Sequence, residues 1–197
     1  MNSKAEAKRQ DRKPIGLKRY RSSAILWLGL LILLVAVNIS LDLTKKPEVH
    51  RGEIWTINRV VSGQTIEGAP SDNLTAVLQR VRLIGINAPL KEQSPWGDRA
   101  RQRLEELVKE QKVLLEFDVN PKDNSEKVLA YLWKGDRLIN AQLVEEGLVL
   151  ADSVSPNVKY EAELSRAQSK ARLLEVGIWD PQNPLRMSPR EFRRQIN

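Results

Sequence analysis

The chain contains no cysteine. Disulfides, thiolate nucleophiles, cysteine-ligated zinc and iron–sulfur clusters are thereby excluded. One histidine, His50, excludes histidine-rich metal sites and argues against histidine-based acid–base catalysis. Internal repeats and low-complexity tracts are absent too. Charge is missing altogether from residues 24–41 and is nearly balanced after them. What remains is 197 residues with 41% hydrophobic and 29% charged side chains, a globular composition with room for one ordinary domain plus extras.

A net charge of +7 taken alone suggests a nucleic-acid or membrane-surface partner. Its distribution changes that reading. Residues 1–23 hold eight Lys/Arg against Glu6 and Asp11, a balance of +6. Residues 42–197 hold 24 basic and 23 acidic groups, only +1. Within them, 181–197 carries Arg186, Arg190, Arg193 and Arg194 against Glu191, which leaves 42–180 at −2. The total charge therefore says little about what the folded part binds.

Residues 24–41, AILWLGLLILLVAVNISL, are predicted to be a transmembrane helix. At ~1.5 Å per residue they span ~27 Å, close to a bilayer core of ~30 Å. Trp27 suits an interfacial aromatic, and the run lacks the polar face expected of a helix in a soluble core. A cleaved signal peptide is the rival, but its apolar region is usually ~7–15 residues and ends in a small-x-small site. The 23-residue basic lead and the lack of an A-x-A site favour an uncleaved signal anchor. The N-terminus then stays cytoplasmic, and the remainder lies in a periplasmic, lumenal or extracellular space. Residues 42–52 read as a linker, because Pro47, Gly52 and mixed charge offer little to bury.

Beyond the linker the pattern is strand-rich, then helical. Strands are predicted over 54–61, 65–67, 76–86, 113–119 and 128–133, with loops at 68–75 and 120–124. In the fourth, Val113, Leu115, Phe117 and Val119 share one side, and Glu116 and Asp118 face away. Helices are predicted over 97–108, over 138–147 and from Pro156 to about Gly177, where Tyr160, Leu164, Ala167, Ala171 and Leu174 form one stripe. The simplest assembly is a small antiparallel sheet or barrel with helices packed on it.

Six segments, in order, carry a resemblance. They are Arg59-Val60-Val61-Ser62-Gly63-Gln64-Thr65-Ile66, Arg82-Leu83-Ile84-Gly85-Ile86-Asn87-Ala88-Pro89, Pro95-Trp96-Gly97-Asp98-Arg99-Ala100, Leu129-Ala130-Tyr131, Leu138 to Leu148, and Gly177-Ile178-Trp179. Over about 53–180 the chain resembles the staphylococcal nuclease (thermonuclease) family. The resemblance implies an α+β fold, a five-stranded OB barrel with three helices, here preceded by the membrane helix and followed by a basic tail, 181–197. It also implies calcium-dependent phosphodiester cleavage, in which carboxylates hold the cation, a base activates water and guanidiniums grip the phosphate.

Against the family pattern, the two calcium carboxylates fall on Gln64 and Asn87, and the general base on Leu90. The first phosphate-gripping arginine falls on Arg82 and the second on Lys127. Two negative charges are gone, leucine accepts no proton, and lysine lacks the planar fork of arginine. Loss of a positioned base typically costs ~10²–10⁴ in rate. Glu67, Glu92 and Asp123 read as solvated or turn-forming acids rather than replacements. Arg82 is either a leftover anion site or the partner of a structural carboxylate.

Three functions follow as expectations. The first is a binding or scaffold module that uses no cofactor and takes a protein partner or, secondarily, nucleic acid. Its candidate binding residues are Arg80, Tyr131 and Trp133, since Tyr131 and Trp133 alternate with Lys127 along one strand and OB folds hold single strands on aromatics beside cations. The second is an active extracytoplasmic nuclease, with calcium as its cofactor. The third is an accessory subunit of a membrane complex, attached through 24–41.

Overall fold

The computed structural model describes residues 27–33, 52–73, 75–109 and 112–196. Two units separate along the chain, Met1–Pro47 and Glu48–Asn197. In the first, residues 27–33 are helical with exposed apolar side chains. The rest of the predicted membrane span and nearly all of the linker lie outside the described residues. Among the described residues no helix is long and apolar enough to cross a membrane.

The second unit is built on five strands: β1 (Glu53–Ser62), β2 (Thr65–Pro70), β3 (Gln79–Leu83), β5 (Lys112–Glu116) and β6 (Val128–Lys134). The first three form an antiparallel meander, β5 pairs with β1, and β6 pairs with β5. A parallel pairing of β3 with β6, through Val81↔Val128, Arg82↔Leu129 and Leu83↔Ala130, closes the barrel. Closure removes the free edges that an open sheet of this size would expose. This five-stranded closed barrel with helices is the expected OB arrangement. Two-residue strands complete it: β4 (Ile86–Asn87) pairs with β8 (Leu150–Ala151), and β7 (Arg137–Leu138) turns back on β6.

Side-chain alternation explains the barrel interior. Val81 and Leu83, and Val113 and Leu115, are buried at period two, and Ile66 joins them with Trp55 and Val60, which lie on either side of an irregularity in β1. Each such side chain contributes ~1.5–3 kcal/mol by leaving water. Helix α1 (Trp96–Val108) lays Ala100, Leu104 and Val108 on this core, and α2 (Ile139–Glu145) and α3 (Glu161–Leu173) pack on each other beside it. A 3₁₀ turn, Gly177–Trp179, follows α3. There Gly147 and Gly177 cross at φ of +65° and +62°, and a Cβ on either would sit 2.2 Å or less from the other strand's backbone. Side-chain-free backbone is required at this crossing.

Several expectations need correction. The fourth predicted strand, 113–119, ends at Glu116, and Val119 is exposed. Residues 68–70, expected in a loop, continue β2. Glu116, expected to face away, is 3% exposed, because Trp133 of β6 and Lys159 and Tyr160, just ahead of α3, close over its carboxylate. Tyr131 and Trp133, expected on a binding face, are 0% and 5% exposed. Their side of β6 is roofed by Tyr160, whose ring meets Tyr131 at 4.7 Å and Trp133 at 5.5 Å, both edge-on. Neither aromatic is available to stack on a nucleobase.

The segment 181–196 is more than a tail. Leu185 N–H bonds Ile178 O at 3.0 Å, Gln93 Nε2 donates to Met187 O at 2.8 Å, and helix α4 (Pro189–Ile196) follows. Ser188 and Glu191 cap its start reciprocally, with Ser188 N–H and Oγ donating to Glu191 Oε2 and Glu191 N–H donating to Ser188 Oγ. This is a capping box with proline at the first helical position.

Candidate functional site

A cavity of about 540 Å³ opens at the mouth of the barrel. Strand β3 supplies Arg82, which alternates with the buried Val81 and Leu83 and so points out of the core. The turn after β3 needs Gly85, at φ +75° and with its Cβ position 2.4 Å from Leu164 Cδ1. That turn sends the chain into β4 and places Asn87 beside Asp152, which follows β8 and whose N–H bonds Gly85 O at 2.8 Å. The loop between β5 and β6 adds Lys122 and Asp123, and α4 adds Arg190 and Arg193.

A polar chain runs through this cavity. Arg190 Nη2 donates to both oxygens of Asp152, at 2.7 and 2.9 Å. Asn87 Nδ2 donates to Asp152 Oδ2 at 2.9 Å, and Asn87 Oδ1 accepts from Arg193 Nη2. Asn87 is 4% exposed, and its amide bridges Asp152 and Arg193. Lys122 pairs with Glu126 at 2.8 Å. The Arg82 guanidinium makes no hydrogen bond or ion pair among the described residues. Burial first, and the charge of Arg193 second, push its pKa below the usual arginine value, against the pull of Asp152 and Asp123. Burial likewise lowers that of Arg193.

The family model described as "Staphylococcal nuclease homologue" matches residues 80–181. The thermonuclease of Staphylococcus intermedius is 33% identical over 165 residues, covering 77% of this chain and 96% of that protein. The thermonuclease of Staphylococcus hyicus is 33% identical over 132 residues, 64% of this chain and 76% of that one. Endonuclease YncB of Bacillus subtilis (strain 168) is 30% identical over 129 residues, 63% and 60% of the two chains.

The chain belongs to the staphylococcal nuclease family.

The family's site positions can now be placed. Arg82 reaches the cavity; Lys127 does not line it. Lys127 stands 45% exposed with its ammonium 4.0 Å from Asp123, whose Oδ1 also accepts the N–H groups of Ser125 and Lys127. Asp123 is thus both a turn-former and a cavity wall. Leu90, at the base position, is half-buried, with its N–H bonded to Gln93 Oε1 at 3.1 Å. Arg80 lies away from the cavity and pairs with Glu67 at 2.8 Å, as Arg59 does at 2.5 Å. Glu67 is therefore engaged, and Glu92 is simply exposed.

Calcium in this family requires oxygen donors, preferably charged. The donors present do not fit it. Gln64 Oε1 is spent on the N–H of Ala88 at 2.6 Å, and Asn87 Oδ1 is spent on Arg193. Both oxygens of Asp152 face Arg190. Among the described residues no group of three or more His, Cys, Asp or Glu is placed to hold a metal ion.

Sequence reasoning missed Asp152, Arg190 and Arg193. A signal existed for the arginines: Ser188-Pro189-Arg190-Glu191 is a helix-start signature, and i, i+3 spacing puts Arg190 and Arg193 on one helix face. Nothing local marks Asp152.

Proposed function

We propose that this chain is a membrane-tethered member of the nuclease family that binds rather than cleaves, its barrel lying outside the cytoplasm. One observation carries the reading: each position where the family keeps a calcium ligand or the base holds a neutral side chain, Gln64, Asn87 or Leu90, and both amide oxygens are already bonded within the protein. Tethering rests on the uncharged run 24–41 and the basic lead before it. The basic cavity favours a phosphate-bearing ligand, nucleic acid, over a purely protein partner. With Tyr131 and Trp133 in the core, binding runs through this cavity and not through stacking on β6.

An active calcium-dependent endonuclease is the second reading. Relatives named thermonuclease and endonuclease favour it, and so do the two carboxylates that line the cavity, Asp123 and Asp152. Incubating the full chain, purified in mild detergent, with single-stranded DNA and calcium separates the two. The expected outcome is no cleavage above the blank, in keeping with a loss of ~10²–10⁴ for the base alone. Calcium-dependent cleavage that disappears in Arg82→Ala establishes the enzyme instead.

A further inference from the structure

The cavity's charge count is unequal. Arg82, Lys122, Arg190 and Arg193 line it against Asp123 and Asp152. Lys122 is matched by Glu126, and Arg190 by Asp152. Arg193 donates to a neutral amide, and Arg82 has no hydrogen-bond or ion-pair partner among the described residues. Two guanidiniums thus share one recess, each partly withdrawn from water and neither matched by a carboxylate of its own. Holding like charges together in a partly desolvated site is unfavourable unless an anion joins them.

We propose that Arg193, delivered by the C-terminal helix, takes the place of a bound cation and forms with Arg82 a metal-independent site for a phosphate monoester at the end of a nucleic-acid strand.

This rests on the reading that the chain binds phosphate without cleaving it. The family pattern reads Arg82 as a phosphate-gripping arginine, and Arg193 lies beyond residues 80–181, which the family model matches. A monoester fits better than a diester for a reason of charge. Its second ionisation, near pH ~6, leaves close to two negative charges at neutral pH, and a diester has one. Two guanidinium forks match those charges with directed hydrogen bonds. About 540 Å³ is much more than phosphate alone requires and is within the usual range for small-molecule sites. Leu129, Val154 and Pro156 give the cavity apolar wall on which a terminal nucleoside can rest.

The test uses the full chain in mild detergent with EDTA throughout, and a short 3′-labelled oligothymidylate read by fluorescence polarisation. A 5′-phosphorylated strand should bind about tenfold tighter than its 5′-hydroxyl counterpart. Arg193→Gln should remove that preference, and Arg186→Gln, on the same segment but outside the cavity, should keep it. Thymidine 5′-monophosphate should raise the melting temperature of the unaltered chain more than thymidine does, a readout that depends on no variant. Equal binding of the two strand ends, or a preference that survives Arg193→Gln, overturns the proposal. So does displacement of the strand by phosphatidate vesicles with none by thymidine 5′-monophosphate, which would assign the arginines to a lipid headgroup. Calcium-dependent cleavage in the separate assay defeats the non-cleaving reading but leaves the end preference in EDTA to be judged by itself.

Discussion

Glu67 shows how a neighbour settles the use of a side chain. Hydrogen bonds from Arg59 first and Arg80 second hold its carboxyl at about 2, with burial opposing them. Arg80 is thereby occupied on the barrel's outer edge, where β2 and β3 pair Glu67 with Arg80 in register. A carbon-detected NMR titration should place the Glu67 midpoint about two units below the usual carboxylate value of ~4.3, and Arg59→Gln should move it upward. A midpoint already near ~4.3 in the unaltered protein would mean that Arg80 is free for ligand. At this scale the sequence was informative about identity and silent about engagement. Gln64, Asn87 and Leu90 were legible because each sits inside a short local motif. That the amide oxygens of Gln64 and Asn87 are spent on Ala88 and Arg193 was not.

Strand β6 carries the lesson for elements. Val128, Ala130, Tyr131, Leu132 and Trp133 are all buried, so both faces of the strand are covered. A strand buried on both faces loses the alternation by which sequence reading tells inside from outside. Aromatics that looked like a stacking platform are core instead, and Trp133 further donates Nε1–H to Glu116 at 2.8 Å. Trp133→Ala should cost ~3–5 kcal/mol of stability, measured as the shift in denaturant midpoint at constant m. A cost below ~1 kcal/mol would return Trp133 to the surface. Helices α1 and α2 were legible to within two residues from their apolar stripes, whereas α3 is shorter than its predicted span at both ends and leaves Leu174 exposed. Helix α4 was not legible, since its role is to carry arginines and its only local mark is the capping box.

For the whole molecule, Glu116 ties barrel to helices. Its carboxylate accepts from Trp133 on β6, from Tyr160 OH at 2.8 Å and from Lys159, both just ahead of α3. Burial by itself would raise its pKa; the hydrogen bonds from Lys159, Tyr160 and Trp133 outweigh it and hold the group below the usual range. A carboxyl whose folded pKa is depressed stabilises fully above its unfolded value of ~4.3 and loses that contribution as pH falls through the folded value. Glu116→Gln should therefore lower stability by ~1–3 kcal/mol at neutral pH, with a deficit that shrinks below about pH 4. Denaturant midpoints measured from pH 7 to pH 3 check this, and a deficit independent of pH would remove Glu116 from the acid response.

Local order in the chain was enough to point to the family and to most of its strands and helices, because motifs and period-two or helical stripes are short-range patterns; closure of the barrel rests on the long-range pairing of β3 with β6. Folding alone decided what occupies the barrel mouth. Arg193 reaches Asn87 across 106 positions of sequence, and Tyr160 covers Tyr131 from another part of the chain. Such contacts leave no periodic trace, since they arise from how distant surfaces close on one another and which charges that closure leaves unmatched.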